Sequence, residues 1–144
     1  MHRYWKKRGH LEVMVLDRNN EELSVAKPRF VVRREKFDDV AVLHCEGRLC
    51  YEGEAKLLAE NALESLRLGD DLILDLGAVG MLDSAGIGQL VLISMQAQAL
   101  GQDVCIACAP DRVRNLLELT NVASLFEFFE SVDDALDSCS EQVA

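Results

Sequence analysis

The chain has 144 residues, a hydrophobic content of 49% and a formal net charge of −10 at pH 7. This length and hydrophobic content suit one folded domain and exclude a wholly disordered chain. The excess of acidic residues argues against nucleic-acid binding, because phosphate groups would be repelled, and no apolar run approaches the ~20 residues that span a bilayer.

The first 28 residues differ in composition from the rest of the chain. Residues 1–10 contain four basic residues and no acidic residue, and no apolar segment of the secretory-signal type follows them. Residues 11–16 are compatible with a short strand, and Pro28 marks a boundary. We predict that residues 1–28 form an N-terminal appendage, with this strand as an optional addition, and that residues 29–144 form a single domain.

Hydrophobic periodicity after this boundary predicts alternating strands and helices. Residues 30–34 and 40–45 are predicted strands joined by a tight turn. Residues 55–66 carry apolar side chains at helical spacing, which indicates an amphipathic helix with one buried stripe. Gly69 follows at the position of a C-terminal cap.

The second half of the chain continues this alternation. The predicted elements are a buried strand at 72–76, a loop from residue 77, an apolar helix at 84–100, a strand at 103–108, a helix opened by Pro110, a strand at 125–129 and a helix capped by Ser131. The order β-β-α-β-α-β-α-β-α predicts an α/β fold, in which a mixed β-sheet packs against four α-helices.

The chain has five cysteines, and an odd number cannot form a complete set of disulfides. This count is typical of a compartment in which thiols stay reduced. Cys105 and Cys108 have C-x-x-C spacing, but they lie in a predicted strand that would direct them to opposite faces. A structural zinc site would need a second ligand pair, which is absent from the sequence. We therefore expect free structural thiols, no metal site and a cytoplasmic location.

The most unusual segment is residues 80–89, which read Gly-Met-Leu-Asp-Ser-Ala-Gly-Ile-Gly-Gln. A hydrolase nucleophile elbow would need glycine two residues before Ser84, where Leu82 stands. A dinucleotide fingerprint would need a third glycine at Val91, and a phosphate-binding loop would need Gly-Lys-Ser/Thr. With these three kinds of site excluded, the residue types indicate the start of a helix, where Asp83 or Ser84 caps the first turn.

Residues 79–90 resemble the signature of STAS domains, the family of bacterial anti-sigma factor antagonists and sulfate-transporter tails. The resemblance extends over element order from Phe30 to Cys139, and residues 114–122 resemble the penultimate helix and turn of that family. It implies a STAS-like fold in which Ser84 is the phosphoacceptor and Asp83 orients the site. It also implies that Gly86 and Gly88 allow close packing of helix and loop.

The same resemblance implies a partner surface formed by the loops around residues 47–51 and 80–84. We assign to this surface Arg48, Leu49, Cys50, Tyr51, Met81 and Leu82. Cys50 is a departure, because the family usually has aspartate at this position. The missing acid weakens any expectation of magnesium or kinase contacts there.

The resemblance implies a non-enzymatic binding protein without a cofactor, a monomer or weak dimer. Unphosphorylated, it would sequester an anti-sigma factor that is also a serine kinase, and so regulate sigma-factor-dependent transcription. Phosphorylation of Ser84 would release that partner, and a serine phosphatase would reset the switch. The alternative is a non-switched STAS scaffold in a stress-sensing assembly or a lipid-transport complex.

Overall fold

A six-stranded mixed β-sheet forms the centre of the computed structural model, which describes residues 7–16 and 30–141. The elements in chain order are β1 (Lys7–Leu16), β2 (Phe30–Phe37), β3 (Val40–Leu49), α1 (Tyr51–Arg67), β4 (Asp71–Leu82), α2 (Ser84–Leu100), β5 (Val104–Ala107), α3 (Asp111–Leu119), a 3-10 turn (Ala123–Leu125), β6 (Glu127–Phe129) and α4 (Val132–Glu141). The predicted α/β fold with a mixed sheet and four helices is confirmed.

The strands lie across the sheet in their sequence order, from β1 to β6. β1, β2 and β3 are antiparallel neighbours, whereas β3 to β6 run parallel and are joined by helices. In the part of the chain that the structure describes, no helix is both long and apolar enough to cross a lipid bilayer.

β1 lies within the segment that the sequence analysis assigns to the N-terminal appendage. It pairs with β2 from Leu16 opposite Phe30 to Lys7 opposite Phe37, and it forms one edge of the sheet. The optional strand of residues 11–16 is thus longer than its apolar pattern indicates. A domain boundary at Pro28 stays a prediction.

Two apolar layers cover the sheet, because strand residues alternate between its faces. Leu72, Leu74 and Leu76 of β4 lie in the first layer, which is formed with α1, α2 and α3. Ile73 lies in the second layer, against Ala135 of α4. The continuous apolar run of β4 is therefore explained by burial on both faces.

The sequence pattern predicts a loop from residue 77, and this prediction is wrong. The segment is the second half of β4. Residues 78–82 pair with residues 46–49 of β3, with two irregularities in the register. Glycines at positions 77 and 80 favour a loop locally, but the hydrogen bonds supplied by β3 outweigh that preference. The longer strand extends the sheet as far as the start of α2.

The five cysteines are free thiols, and all of them except Cys50 lie in or against the two layers. Cys45 is in the first layer, whereas Cys105 is in the second and Cys108 packs against the same second layer. The expectation of opposite faces for Cys105 and Cys108 is wrong, because Cys108 lies beyond β5 with a φ of 62°. Burial raises the pKa of the Cys105 thiol and raises that of Cys139 to about 11.

Candidate functional site

The candidate site lies where two parallel strands end and two helices begin. β3 leads into α1 and β4 leads into α2, and both junctions meet at the same edge because the strands are parallel neighbours. Arg48 pairs with Met81, and Leu49 pairs with Leu82, at the last positions of this ladder. The two segments of the predicted partner surface are therefore adjacent.

Asp83 holds both helix starts together. Its Oδ1 accepts hydrogen bonds from the Ala85 and Gly86 amides at 3.0 and 3.2 Å, which caps α2. Its Oδ2 accepts a third hydrogen bond from the Tyr51 amide at 3.0 Å, at the start of α1. The Tyr51 amide and the two α2 amides hold the pKa of Asp83 below its ordinary value. The carboxylate is therefore an ionised structural anchor.

Ser84 is the first residue of α2, and its side chain is exposed. Among residues 30–139, no group is hydrogen-bonded to its hydroxyl. His44, a base that could activate a serine, is instead bonded to Asp75 and Glu35. The Ser84 hydroxyl is therefore accessible to solvent at the positive end of the α2 helix dipole.

The two glycines of the motif have different environments. A Cβ added at Gly86 would lie 2.6 Å from the Leu49 carbonyl oxygen and 2.6 Å from Leu82 Cδ1. Gly86 therefore allows α2 to approach the end of β3, as expected. A Cβ at Gly88 would meet nothing within 4 Å, so the expectation that Gly88 permits close packing is wrong.

The six residues assigned to the partner surface divide into two groups. Tyr51 is 59% exposed and Met81 is 43% exposed, and Arg48 is exposed beside them. The remaining three are buried, with exposures of 7% or less: Leu49, Cys50 and Leu82. The assignment of these three residues to the surface is wrong, because their side chains are buried beneath it.

Cys50 occupies the N-cap position of α1 without a side-chain hydrogen bond to the helix. Burial raises the pKa of its thiol, and the neighbouring Asp83 carboxylate adds to this effect. The first turn of α1 is instead held by the Asp83 contact to Tyr51, whose φ is 67°. Asp83 therefore supplies the anchoring carboxylate in a site where residue 50 has none.

An apolar cavity of about 310 Å³ adjoins the exposed surface, and sequence reasoning missed it. It is lined by Met81, Leu82, Arg112, Val113, Asn115, Leu116 and Leu119. Arg112 Nη1 donates to the Gly80 carbonyl oxygen at 3.1 Å, and Leu119 is 82% exposed. The position of α3 in the chain could have indicated this cavity. Because α3 follows β5, which is parallel to β4, it begins at the same end of the sheet as α1 and α2.

A separate polar cluster lies along the sheet, in the central strands. His44 Nδ1 is 2.6 Å from Asp75 Oδ2, and His44 Nε2 is 2.9 Å from Glu35 Oε1. The hydrogen bond to Asp75 raises the pKa of His44, against the opposing effect of burial, and Glu35 adds to the increase. Burial acts to raise the pKa of Asp75, but the bonds from His44 and the Gly77 amide hold it below its ordinary value. Among the described residues, no cluster of His, Cys, Asp and Glu could hold a metal ion.

Solved structures share this fold at low sequence identity. An anti-sigma factor antagonist from Mycobacterium paratuberculosis is 22% identical, with a TM-score of 0.67 over 76% of this chain and 92% of that chain. The unphosphorylated form of the antagonist SpoIIAA is 13% identical, with a TM-score of 0.66 over 76% and 96% of the two chains. SpoIIAA from Bacillus also matches in its phosphorylated form, at 11% identity and a TM-score of 0.61 over 75% and 98%.

The fold also occurs within a larger protein. The murine anion transporter Slc26a9 is 18% identical, with a TM-score of 0.61 over 71% of this chain and 18% of that chain. The family model of the STAS domain matches residues 32–135, which include all strands from β3 to β6 and the whole candidate site. The chain belongs to the STAS domain family.

Proposed function

We propose that this chain is an anti-sigma factor antagonist whose partner binding is switched by phosphorylation of Ser84. The observation that carries the proposal is the position of Ser84, exposed at the start of α2 and directly after the anchored Asp83. SpoIIAA, which shares the fold, exists in phosphorylated and unphosphorylated forms. The domain itself catalyses nothing and binds a partner.

In the unphosphorylated state, the proposed docking surface consists of Arg48, Tyr51, Met81 and Ser84. Arg48 Nη2 lies 3.5 Å from Met81 Sδ, so a guanidinium flanks an exposed apolar side chain. The adjoining cavity offers apolar walls beside Met81. An anti-sigma factor would bury these side chains, and its capture would free a sigma factor for transcription.

The switch step is a transfer from ATP that the partner catalyses. The kinase moves the γ-phosphoryl group to Ser84 Oγ, the hydroxyl proton leaves, and ADP is released. The phosphate adds about −1.5 to −2 charges. The helix start tolerates this charge, so the fold persists, but the surface beside Asp83 becomes strongly anionic. Repulsion and crowding then release the partner, and a serine phosphatase restores the hydroxyl by hydrolysis.

Two substitutions of one residue test this proposal by calorimetry against the anti-sigma factor kinase of the same organism. Ser84→Ala should bind persistently in the presence of ATP, whereas Ser84→Asp should fold normally and bind weakly. Ser124→Asp is the matched control, because Ser124 is exposed but lies beyond α3, and it should bind like the unmodified chain. Equal affinities of the two Ser84 variants would contradict the switch and favour a scaffold.

A further inference from the structure

The end of β4 contains a β-bulge at Gly80. Val79 of β4 pairs with Gly47 of β3, and Met81 pairs with the very next residue of β3, Arg48. Gly80 is therefore an extra residue of β4, with no partner in β3 in this register. Such a residue bends its strand and changes the face to which the following side chains point. Bulges are over-represented beside functional sites, where they redirect a side chain.

The bulge determines which side chain at the end of β4 is exposed. Val79 and Leu82 both lie in the first apolar layer, although they are three positions apart. In a regular strand, residues two positions apart share a face, so Met81 would lie in this layer with Val79, and Leu82 would lie on the other face. The extra residue reverses this arrangement, because Leu82 is 7% exposed and Met81 is 43% exposed. The presence of Met81 at the surface therefore depends on the bulge.

Arg112 of α3 contacts the backbone of this bulge. Its Nη1 donates a hydrogen bond to the Gly80 carbonyl oxygen at 3.1 Å, across 32 positions of the chain. The backbone of α3 is held against the sheet by Val113 and Leu117, which are buried in the first layer. The guanidinium therefore extends from a fixed support. Because this donor is charged, its hydrogen bond is stronger than one from a neutral donor.

Two arginines thus hold Met81 from two sides. Arg48 Nη2 lies 3.5 Å from its Sδ, and Arg112 is bonded to the carbonyl of the residue before it. Methionine is unbranched and has three rotatable bonds in its side chain, so it is flexible when nothing holds it. A side chain that is ordered before binding loses less conformational entropy when a partner covers it. An ordered Met81 should therefore bind a partner more tightly than a mobile one.

We infer that Arg112 is a positioning residue of the docking surface, which fixes the Gly80 bulge and so presents Met81 to the partner. The guanidinium acts through Gly80, and no contact between Arg112 and the partner is required. The inference rests on the proposed function, because Met81 belongs to the proposed docking surface. It adds α3 to the elements that shape a surface whose residues come from β3, β4 and the starts of α1 and α2.

Hydrogen exchange of the free chain, measured by NMR, tests the hold on the bulge without a partner. The probe is the Asp83 amide, which donates to the Leu49 carbonyl oxygen at 3.4 Å just after the bulge. Arg112→Met keeps the length of the side chain without its donors and should speed this exchange about fivefold. Arg112→Lys keeps a charged donor and should change it less than about twofold. Arg114→Met is the matched control on the same helix, because Arg114 lies over the Phe128 ring at 4.7 Å, and it should also change the exchange less than about twofold.

Calorimetry against the anti-sigma factor kinase measures the consequence for binding. Arg112→Met should weaken binding about fivefold, because Met81 must then be ordered on binding, and Arg112→Lys should restore it. Met81→Ala is the reference and should weaken binding at least as much.

Three results would overturn the role of Arg112. These are an Asp83 amide whose exchange Arg112→Met leaves unchanged, a faster exchange that Arg112→Lys does not restore, and an affinity that Arg112→Met leaves intact while Met81→Ala lowers it. A Met81→Ala chain that binds like the unmodified chain would instead contradict the proposed docking surface. In that case the exchange in the free chain still decides whether Arg112 holds the bulge.

Discussion

Replacement of Gly86 by alanine should destabilise the domain through one identifiable contact. The added methyl group would lie 2.6 Å from the Leu49 carbonyl oxygen and from Leu82 Cδ1, and 3.1 Å from Leu49 Cγ. The Leu82 side chain can rotate, but the Leu49 carbonyl belongs to the end of β3. The same carbonyl oxygen also accepts a hydrogen bond from the Asp83 amide at 3.4 Å. Relief of the clash would therefore move either the strand end or the start of α2.

The magnitude follows from two opposing effects. Overpacking costs about 1–3 kcal/mol, and the upper end applies because a backbone atom is involved. Alanine in place of glycine in a helix gains about 0.5–1 kcal/mol. We expect Gly86→Ala to lower the free energy of unfolding by about 2 kcal/mol.

Gly88→Ala is the matched control, because its added methyl group meets no atom within 4 Å. It should raise the free energy of unfolding by about 0.5–1 kcal/mol, so the two variants should change stability in opposite directions. Urea titration followed by circular dichroism of the helices measures both changes. A Gly86→Ala protein as stable as Gly88→Ala would show that α2 does not lie against the end of β3 as described.

Three further changes have expected outcomes. Leu66→Ala should lower the free energy of unfolding by about 2–5 kcal/mol in urea titration, whereas Leu63→Ala, at a half-buried position of the same helix, should lower it less. Equal losses would contradict this orientation of α1. His44→Gln should destabilise the domain most below about pH 6.5 and less as the pH rises, because a raised pKa in the folded state adds stability that is lost as the pH rises through that pKa. A pH-independent difference in thermal melts would contradict the pairing with Asp75. Deletion of residues 1–28 should leave a folded domain, since residues 30–141 supply five strands and the four helices that pack on them, but its melting temperature should fall because β2 becomes an edge strand. An unfolded circular dichroism spectrum would contradict the boundary.

Local signals determined which parts of the fold could be predicted. The bounds of α2 agree with the sequence prediction at both ends, because an acidic residue starts the helix and Gly101 ends it in the left-handed conformation. Ser131 likewise caps α4, where its hydroxyl accepts the Asp134 amide at 3.0 Å. Each of these features depends on residues within one helical turn.

Features that depend on distant residues could not be predicted. β4 continues to Leu82 because β3 supplies its hydrogen bonds, and nothing within β4 itself reveals this. Gly86 and Gly88 look alike in the motif, and their difference arises from Leu49, which is 37 positions before Gly86. Burial of Leu49 in the partner segment has the same origin. The sequence pattern therefore predicted which segments form the candidate site, but not which of their side chains are exposed.

The three hydrogen bonds of Asp83 connect the opening motions of two helices that are distant in sequence. Its contact with the Tyr51 amide spans 32 positions, while its other two contacts lie within the first turn of α2. When the carboxylate moves away, both helix starts lose their anchor in one event, so they fray together. The amides of Tyr51 and Gly86 should therefore exchange with solvent at matching opening free energies. An added charge at Ser84 would then be detectable at the start of α1, through the exchange rate of an amide that belongs to another helix.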